Sequence, residues 1–103
     1  MTYLEELGDV IHTLHGATAT HVQSVPVTEM YQGQVVWDGV VEVFDLHGHP
    51  KTNTVYAWLH DTGIPDAPPQ HVTVLHIKPA LTPLTAVRAF IMQEIQNASP
   101  AQA

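Results

Sequence analysis

Cysteine is absent from this 103-residue sequence, and lysine and arginine together occur only three times. Without cysteine there can be no disulfide, no thiolate nucleophile and no cysteine-ligated zinc site. Nucleic-acid binding relies on clustered basic side chains, and Lys51, Lys78 and Arg88 cannot form such a cluster against ten acidic residues. The same shortage excludes adhesion to an anionic membrane. We therefore expect neither a nucleic acid nor a membrane among the partners.

The sequence also lacks a targeting segment and long apolar runs. Its first residues, MTYLEELGDVIHTLHG, contain acidic but no basic side chains, unlike a signal peptide. No apolar run approaches the length of a membrane-spanning helix. These features predict a cytoplasmic protein. Charged residues are only 13% of the chain, so uncharged surface must lie outside the core, which favours an oligomer.

Two helices are predicted, one near each end of the chain. Thr2 and Glu5 have the spacing of a capping box, and apolar residues at helical spacing follow over residues 3 to 15 until Gly16 ends the helix. In the second helix Thr82 is the predicted N-cap and Pro83 the first helical residue. Its predicted apolar stripe consists of Leu84, Val87, Ile91 and Ile95.

Between the helices, β-branched and aromatic residues dominate four runs. These runs cover about 24 to 31, 34 to 46, 52 to 60 and 70 to 78. Short connections between them, the first being Gln32-Gly33, favour an antiparallel meander. We therefore expect one α+β domain over residues 1–98, with a single four-stranded antiparallel sheet and both helices packed on one face. A short flexible tail is expected at residues 99–103.

The register of the central hairpin decides which side chains share a face of the sheet. Matching the apolar odd positions of the second and third strands predicts Val43 opposite Val55 and Val41 opposite Ala57. The odd positions would then face the helices, and the even positions would form an open face. That open face would carry Val36, Asp38, Val40, Glu42, Phe44, Tyr56, Trp58 and His60.

Two functions fit this open face. Large apolar side chains flanked by polar groups are typical of a binding surface. This favours a small non-enzymatic binding or accessory module that forms a homodimer, with a different protein or a small molecule as other partners. The predicted interface consists of Val36, Val40, Phe44, Tyr56 and Trp58.

The alternative function is a small hydrolase or isomerase. In that reading Asp38 orients His60, Glu42 serves as a second acid or base, and Tyr56 donates a hydrogen bond to an oxyanion. The sequence contains no nucleophile elbow, phosphate loop or dinucleotide fingerprint that would identify a reaction.

A histidine-rich turn is the one candidate metal site. His47 and His49 are two residues apart, and Asp45 is the nearest carboxylate. Zinc needs three or four ligands, and His60 is too far along an extended strand to join this set. We therefore predict no bound metal and no other cofactor, with His47, His49 and Asp45 as weak candidate ligands.

The stretch VVWDGVVEVFDLHGHPKTNTVYAW resembles a set of small uncharacterised bacterial proteins. They share a Trp-x-Gly-x-Val-Glu-Val-Phe strand, a Gly-His-Pro-Lys turn and a Tyr-Ala-Trp return strand, matched here over residues 35–58. Such proteins are similar to accessory reading frames on mobile DNA, such as integron gene cassettes. The resemblance implies a shared architecture and assigns no catalytic residue.

Overall fold

The computed structural model describes residues 2–60 and 65–98, with side chains as far as residue 95. Its elements in chain order are α1 (Tyr3–His15), β1 (Thr18–Tyr31), β2 (Gln34–His47), β3 (Thr54–His60), β4 (Gln70–Leu75) and α2 (Pro83–Ala98). The predicted tail at 99–103 lies outside the described residues. In the described part of the chain, no helix is long and apolar enough to cross a membrane.

The four strands form one antiparallel sheet in the order β1-β2-β3-β4, which confirms the predicted α+β class and meander. β1 and β2 are 14 residues each, whereas β3 has 7 and β4 has 6. β3 pairs with β2 only over residues 42–45 of β2. The rest of the long β1–β2 hairpin, residues 26–40, therefore extends past β3 and is called the arm below.

Local signals in the sequence place the ends of α1 and the turn of the arm. The Thr2 side chain accepts a hydrogen bond from the Glu5 amide at 3.2 Å, and Glu5 accepts one from the Thr2 amide at 3.3 Å. Gly16 ends the helix with φ of 67°, a left-handed conformation that suits glycine. Gln32 and Gly33 both have positive φ, as in the two-residue turns that match strand twist. These predictions are confirmed.

The helices lie on opposite faces of the sheet, so the prediction that both pack on one face is wrong. α1 covers a cluster that includes Phe44 and Val55, whereas α2 covers Val43, Tyr56 and Trp58. Because neighbouring residues of a strand point to opposite faces, the two clusters must be on opposite sides. The domain is a sheet enclosed between two helices.

A one-residue difference in register explains that error. Val43 lies opposite Tyr56 and Phe44 opposite Val55, whereas the sequence predicted Val43 opposite Val55. A backbone hydrogen bond of 2.8 Å from the Leu46 amide to the Asn53 carbonyl closes the connection one residue later than expected. Such a shift turns every β3 side chain to the other face. The apolar pattern predicted the wrong register because β3 is buried on both faces from Val55 to Trp58, so apolar and polar residues do not alternate there.

Helix α2 begins as predicted, and its predicted apolar stripe is confirmed except at Ile95. The Thr82 hydroxyl accepts from the Thr85 amide at 3.1 Å, as an N-cap does, and Pro83 is the first helical residue. Val87 is buried, whereas Ile95 is 54% exposed. Leu84 and Ile91 pack against the same core, and Ala86, Ala89 and Phe90 widen the buried side. β1 also begins at Thr18, earlier than predicted.

Candidate functional site

The predicted open face does not exist, because helices cover both faces of the sheet. Phe44 is 2% exposed beneath α1, and Tyr56 and Trp58 are 3% and 1% exposed beneath α2. Val36 and Val40 remain exposed, each at 46%, because they lie in the arm. The five residues predicted as an interface therefore do not form one exposed surface, and that prediction is wrong. A homodimer through other residues stays a prediction.

A cleft opens where β2 and β3 separate at one end of the sheet. Residues 37–40 of β2 have no pairing partner on β3, and residues 59–60 of β3 pair with β4 alone. Between them lies a concavity of about 580 Å³, which the start of α1 borders through Tyr3. Its lining consists of Tyr3, Trp37, Asp38, Gly39, Val40, Glu42, Leu59 and His60. Three predicted catalytic candidates, Asp38, Glu42 and His60, thus share the cleft, and Tyr56 is not among its lining residues.

Trp37 forms a fixed wall of the cleft because Gly39 leaves room for its ring. A Cβ atom at residue 39 would come within 3.0 Å of the indole, so a side chain there would displace it. The Trp37 ring also packs edge-on against Trp58, with centroids 5.7 Å apart, and Trp58 packs in the same way against Phe90 at 5.6 Å. These contacts tie the wall of the cleft to the core beneath α2.

Glu42 places a buried carboxylate in the cleft, at only 5% exposure. Its Oε1 atom lies 2.9 Å from His21 Nε2 and accepts a short hydrogen bond from the Ser24 hydroxyl. The Oε2 atom accepts no hydrogen bond from the described residues. Burying a carboxylate without hydrogen-bond partners costs free energy. Glu42 has such partners among the described residues at only one of its two oxygens.

The partners of Glu42 were not predicted from the sequence. His21 lies opposite Phe44 and Ser24 opposite Glu42, with a β-bulge at Val22 between them. Residues three apart on a regular strand point to opposite faces, so the bulge is what brings His21 and Ser24 to the same side. No local pattern in this polar part of β1 signals the bulge.

Ser24, His21 and Glu42 are residue types found in hydrolytic triads, but their arrangement is different. In a triad the serine donates to the imidazole, and the carboxylate holds the other ring nitrogen. Here the Ser24 hydroxyl donates to Glu42, the same carboxylate oxygen contacts His21 Nε2, and the Ser24 oxygen is 3.5 Å from that nitrogen. The arrangement stabilises a buried carboxylate and does not activate the serine.

Tyr3 connects α1 to the cleft. Burial raises the pKa of its hydroxyl, and the negative charge of Glu42 raises it further, while a hydrogen bond with the Leu59 backbone acts in the opposite direction. Tyr3 is therefore a neutral phenol at neutral pH. Its side chain lines the cleft together with Glu42.

The predicted catalytic pair of Asp38 and His60 is not formed. Asp38 accepts a hydrogen bond of 3.0 Å from the Thr28 hydroxyl, and the His60 ring packs edge-on against Phe90 with centroids 4.8 Å apart. The Tyr56 hydroxyl lies 2.6 Å from Nδ1 of His76. Burial raises the pKa of Tyr56. The side chains proposed to orient and assist His60 are thus engaged elsewhere.

The histidine turn does not gather a set of metal ligands. Nδ1 of His49 accepts a hydrogen bond of 3.1 Å from the Lys51 amide, and its ring lies edge-on to His15 at 6.4 Å. His47 pairs with Thr18 at the end of β2, and Asp45 is also within the strand. Among residues 2–60 and 65–98, no group of three or more potential ligands is close enough to hold a metal ion.

A second concavity of about 480 Å³ lies between the tip of the arm and α2, and we call it the arm groove. Its lining consists of Glu29, Met30, Tyr31, Val36, Arg88, Ile91, Met92 and Ile95. Met30, Tyr31, Met92 and Ile95 are each more than half exposed. Arg88 and Glu29 form an ion pair there, and the guanidinium holds the pKa of the Glu29 carboxyl below its usual range. The groove is thus apolar, with a neutral pair of charges.

Comparison with known proteins gives no relative from which a function could be inferred. No family model matches the chain, and neither do any curated proteins or solved structures. The cleft and the arm groove are therefore the features of the molecule that bear on its function.

Proposed function

We propose that the protein is a small cytoplasmic non-enzymatic binding module whose ligand site is the cleft between β2 and β3. The observation that carries this proposal is a concavity of about 580 Å³ that combines aromatic and apolar walls with one buried carboxylate. Small-molecule sites are typically apolar concavities of 300–1,000 Å³ with a few placed polar groups. Trp37 and Tyr3 supply fixed rings, and Glu42 supplies the polar group.

Binding is favoured over catalysis because the polar side chains of the cleft are not arranged for proton transfer. A general base needs an orienting partner and a path to the substrate proton. Asp38 contacts Thr28 instead of His60, and Glu42 is held by His21 and Ser24. The hydrolase or isomerase alternative lacks the His60–Asp38 pair on which it depends.

Binding at the cleft can be tested by NMR on ¹⁵N-labelled protein with small phenyl compounds that differ in charge. At least one of them should shift the Gly39 amide and the Trp37 indole signals. Val40→Phe should weaken this binding at least fivefold by filling the cleft, whereas Val35→Phe should not, because Val35 is an exposed valine of the same strand outside the cleft lining. Shifts confined to the arm groove, or no shifts at all, would refute the proposal.

We also propose that the module forms a homodimer through the arm groove. The chain has a net charge of −7, so two copies repel each other over most of their surfaces. The charged residues lining the arm groove, Glu29 and Arg88, neutralise each other. Met30, Tyr31 and Met92 would lose exposure to water on association, and a two-fold axis lets the same groove meet itself.

Light scattering after size exclusion tests the dimer and should give twice the chain mass. Met92→Asp should produce a monomer, because it places a charge in the centre of the apolar groove. Thr13→Asp adds the same charge to an exposed position of α1 and should leave the dimer intact. A wild-type monomer, or a dimer that Met92→Asp does not affect, would contradict an interface at the arm groove.

A further inference from the structure

The cleft carries two carboxylates and no lysine or arginine in its lining, and the basic side chain that contacts one of them, His21, lies outside the lining. The two carboxylates are those of Asp38 and Glu42. Arg88 is paired with Glu29 at the arm groove. His60 is the one lining residue whose side chain can carry a positive charge. A negatively charged ligand would therefore be repelled from the cleft, whereas a cation would be attracted to it.

The buried carboxylate adds a specific contact for a positive group. Both hydrogen bonds of Glu42 reach Oε1, and Oε2 accepts none from the described residues. A buried carboxylate gains most from a charged hydrogen-bond donor, since such bonds are about twice as strong as neutral ones. An ammonium group at the Glu42 end of the cleft would supply that donor.

The walls favour an organic cation over a metal ion. Tyr3 and Glu42 line the same cleft, so an ammonium group at the carboxylate could also contact the aromatic side chain. Val40, Leu59 and the Trp37 ring form an apolar continuation of the same cleft. Metal ions need several oxygen, nitrogen or sulfur ligands, and the described residues offer no such cluster.

We propose that the cleft binds a small organic amine as its ammonium ion, with the charged group at Glu42 and Tyr3 and a hydrocarbon body along Val40 and Leu59 toward Trp37. This inference rests on the proposed binding function of the cleft and adds the chemical class of its ligand. Trp37 is already fixed by Gly39 and Trp58, so little ordering of that wall is needed on binding.

Three probes of similar shape and different charge test the ligand class. They are 2-phenylethylammonium, 2-phenylethanol and 3-phenylpropionate, titrated separately into ¹⁵N-labelled protein at about pH 8, where ordinary histidines are neutral. We expect the ammonium ion to bind at least tenfold more tightly than the alcohol, and the carboxylate to cause no shift at Gly39. Raising the salt concentration should weaken the binding of the ammonium ion and leave the binding of the alcohol unchanged.

Charge-removing variants identify the carboxylate responsible. Glu42→Gln keeps an oxygen for His21 and Ser24 and should lower the affinity for 2-phenylethylammonium at least tenfold, without a change for 2-phenylethanol. Glu94→Gln removes the same charge from an exposed position of α2 outside the cleft lining and should change neither affinity by more than twofold.

If Glu42→Gln fails to fold, Asp38→Asn replaces it as the charge-removing variant. Asp38 is exposed, and asparagine can still accept the hydrogen bond from the Thr28 hydroxyl. This variant should lower the affinity for the ammonium ion two- to fivefold and leave the alcohol unchanged. If the alcohol or the carboxylate binds as tightly as the ammonium ion, or if the folded variants weaken all probes equally, the ligand class is wrong while binding at the cleft stands. If none of the probes binds, the proposed function fails as well.

Discussion

The two halves of β2 have similar residues but different surroundings. In the half that pairs with β3, Val43 and Phe44 are 7% and 2% exposed, since a helix covers each face. In the arm, Val35, Val36 and Val40 are 56%, 46% and 46% exposed, although Val27 on the partner strand is buried against α2. The comparison shows that apolar residue type predicts a strand here, whereas burial depends on which other elements cover it.

The difference in exposure between the two halves also indicates which residues contribute to stability and which are available for binding. The enclosed half is surrounded by core residues such as Trp58, which have no accessible surface to offer a partner. The arm groove is at the far tip of the arm, and the cleft is at the border, where Glu42 of the enclosed half meets Asp38 of the arm. Substitutions of core residues should therefore affect mainly stability and those in the arm mainly binding, whereas Glu42 should affect both.

The largest expected effect is the loss of a core aromatic residue. Trp58→Ala should lower the free energy of unfolding by about 3–5 kcal/mol, because Trp58 is 1% exposed and contacts both Trp37 and Phe90. Tyr31→Ala, at 66% exposure in the arm, should change it by less than about 0.5 kcal/mol. Urea unfolding followed by circular dichroism, at a concentration where the protein is monomeric, measures both. Equal losses would contradict the distinction between the enclosed part of the sheet, which contains Trp58, and the arm, which contains Tyr31.

A smaller effect is expected from removing a carboxylate of β2. Glu42→Ala should lower the free energy of unfolding by about 1–3 kcal/mol, since His21 and Ser24 lose their shared acceptor. Asp38→Ala removes an exposed hydrogen bond with Thr28 in the arm and should cost less than about 1 kcal/mol. The same urea experiment compares them. A larger loss for Asp38→Ala would mean that the Glu42 network contributes little to stability.

The smallest effect concerns His15, which lies 2.8 Å from the Thr73 hydroxyl between α1 and β4. Burial lowers the pKa of His15 below its ordinary value of 6.5, and nearby His49 lowers it further. Between the lowered folded-state pKa and 6.5, the unfolded chain binds more protons than the folded chain. This contribution therefore makes the protein less stable as pH falls through that window, and it is absent above it.

NMR titration of the His15 ring measures this shift directly. The midpoint should lie below 6.5 in the folded protein and return to about 6.5 in concentrated urea. His49→Asn should move the folded-state midpoint part of the way back, because burial is the larger cause of the shift. A midpoint at or above 6.5 in the folded protein would contradict the enclosed position of His15.

Local signals made the element types predictable. The capping box of Thr2 and Glu5, the stop at Gly16 and the turn at Gln32-Gly33 depend on interactions within a few residues, and all are present. The antiparallel order of the strands followed from their short connections. These features need no knowledge of distant parts of the chain.

The site was only partly predictable. Asp38, Glu42 and His60 were grouped from the sequence, and the structure brings them to one cleft. Their grouping assumed a register that differs from the observed one by a residue, and the expected contact of Asp38 with His60 is absent. The cleft exists because β3 separates from β2 after Ala57 and continues beside β4 as far as His60, and no residue pattern revealed that separation.

The sequence by itself determined the helices, the strands, their antiparallel order and the negative charge of the molecule, because propensity, capping and composition act locally or additively. Only the tertiary structure decided that α1 and α2 lie on opposite faces, that Tyr56 and Trp58 are buried, and that the bulge at Val22 gives Glu42 its partners. The physical reason is that one residue of register reverses every side chain of a strand. When both faces of the strand are apolar, the sequence carries no signal to choose between the two registers.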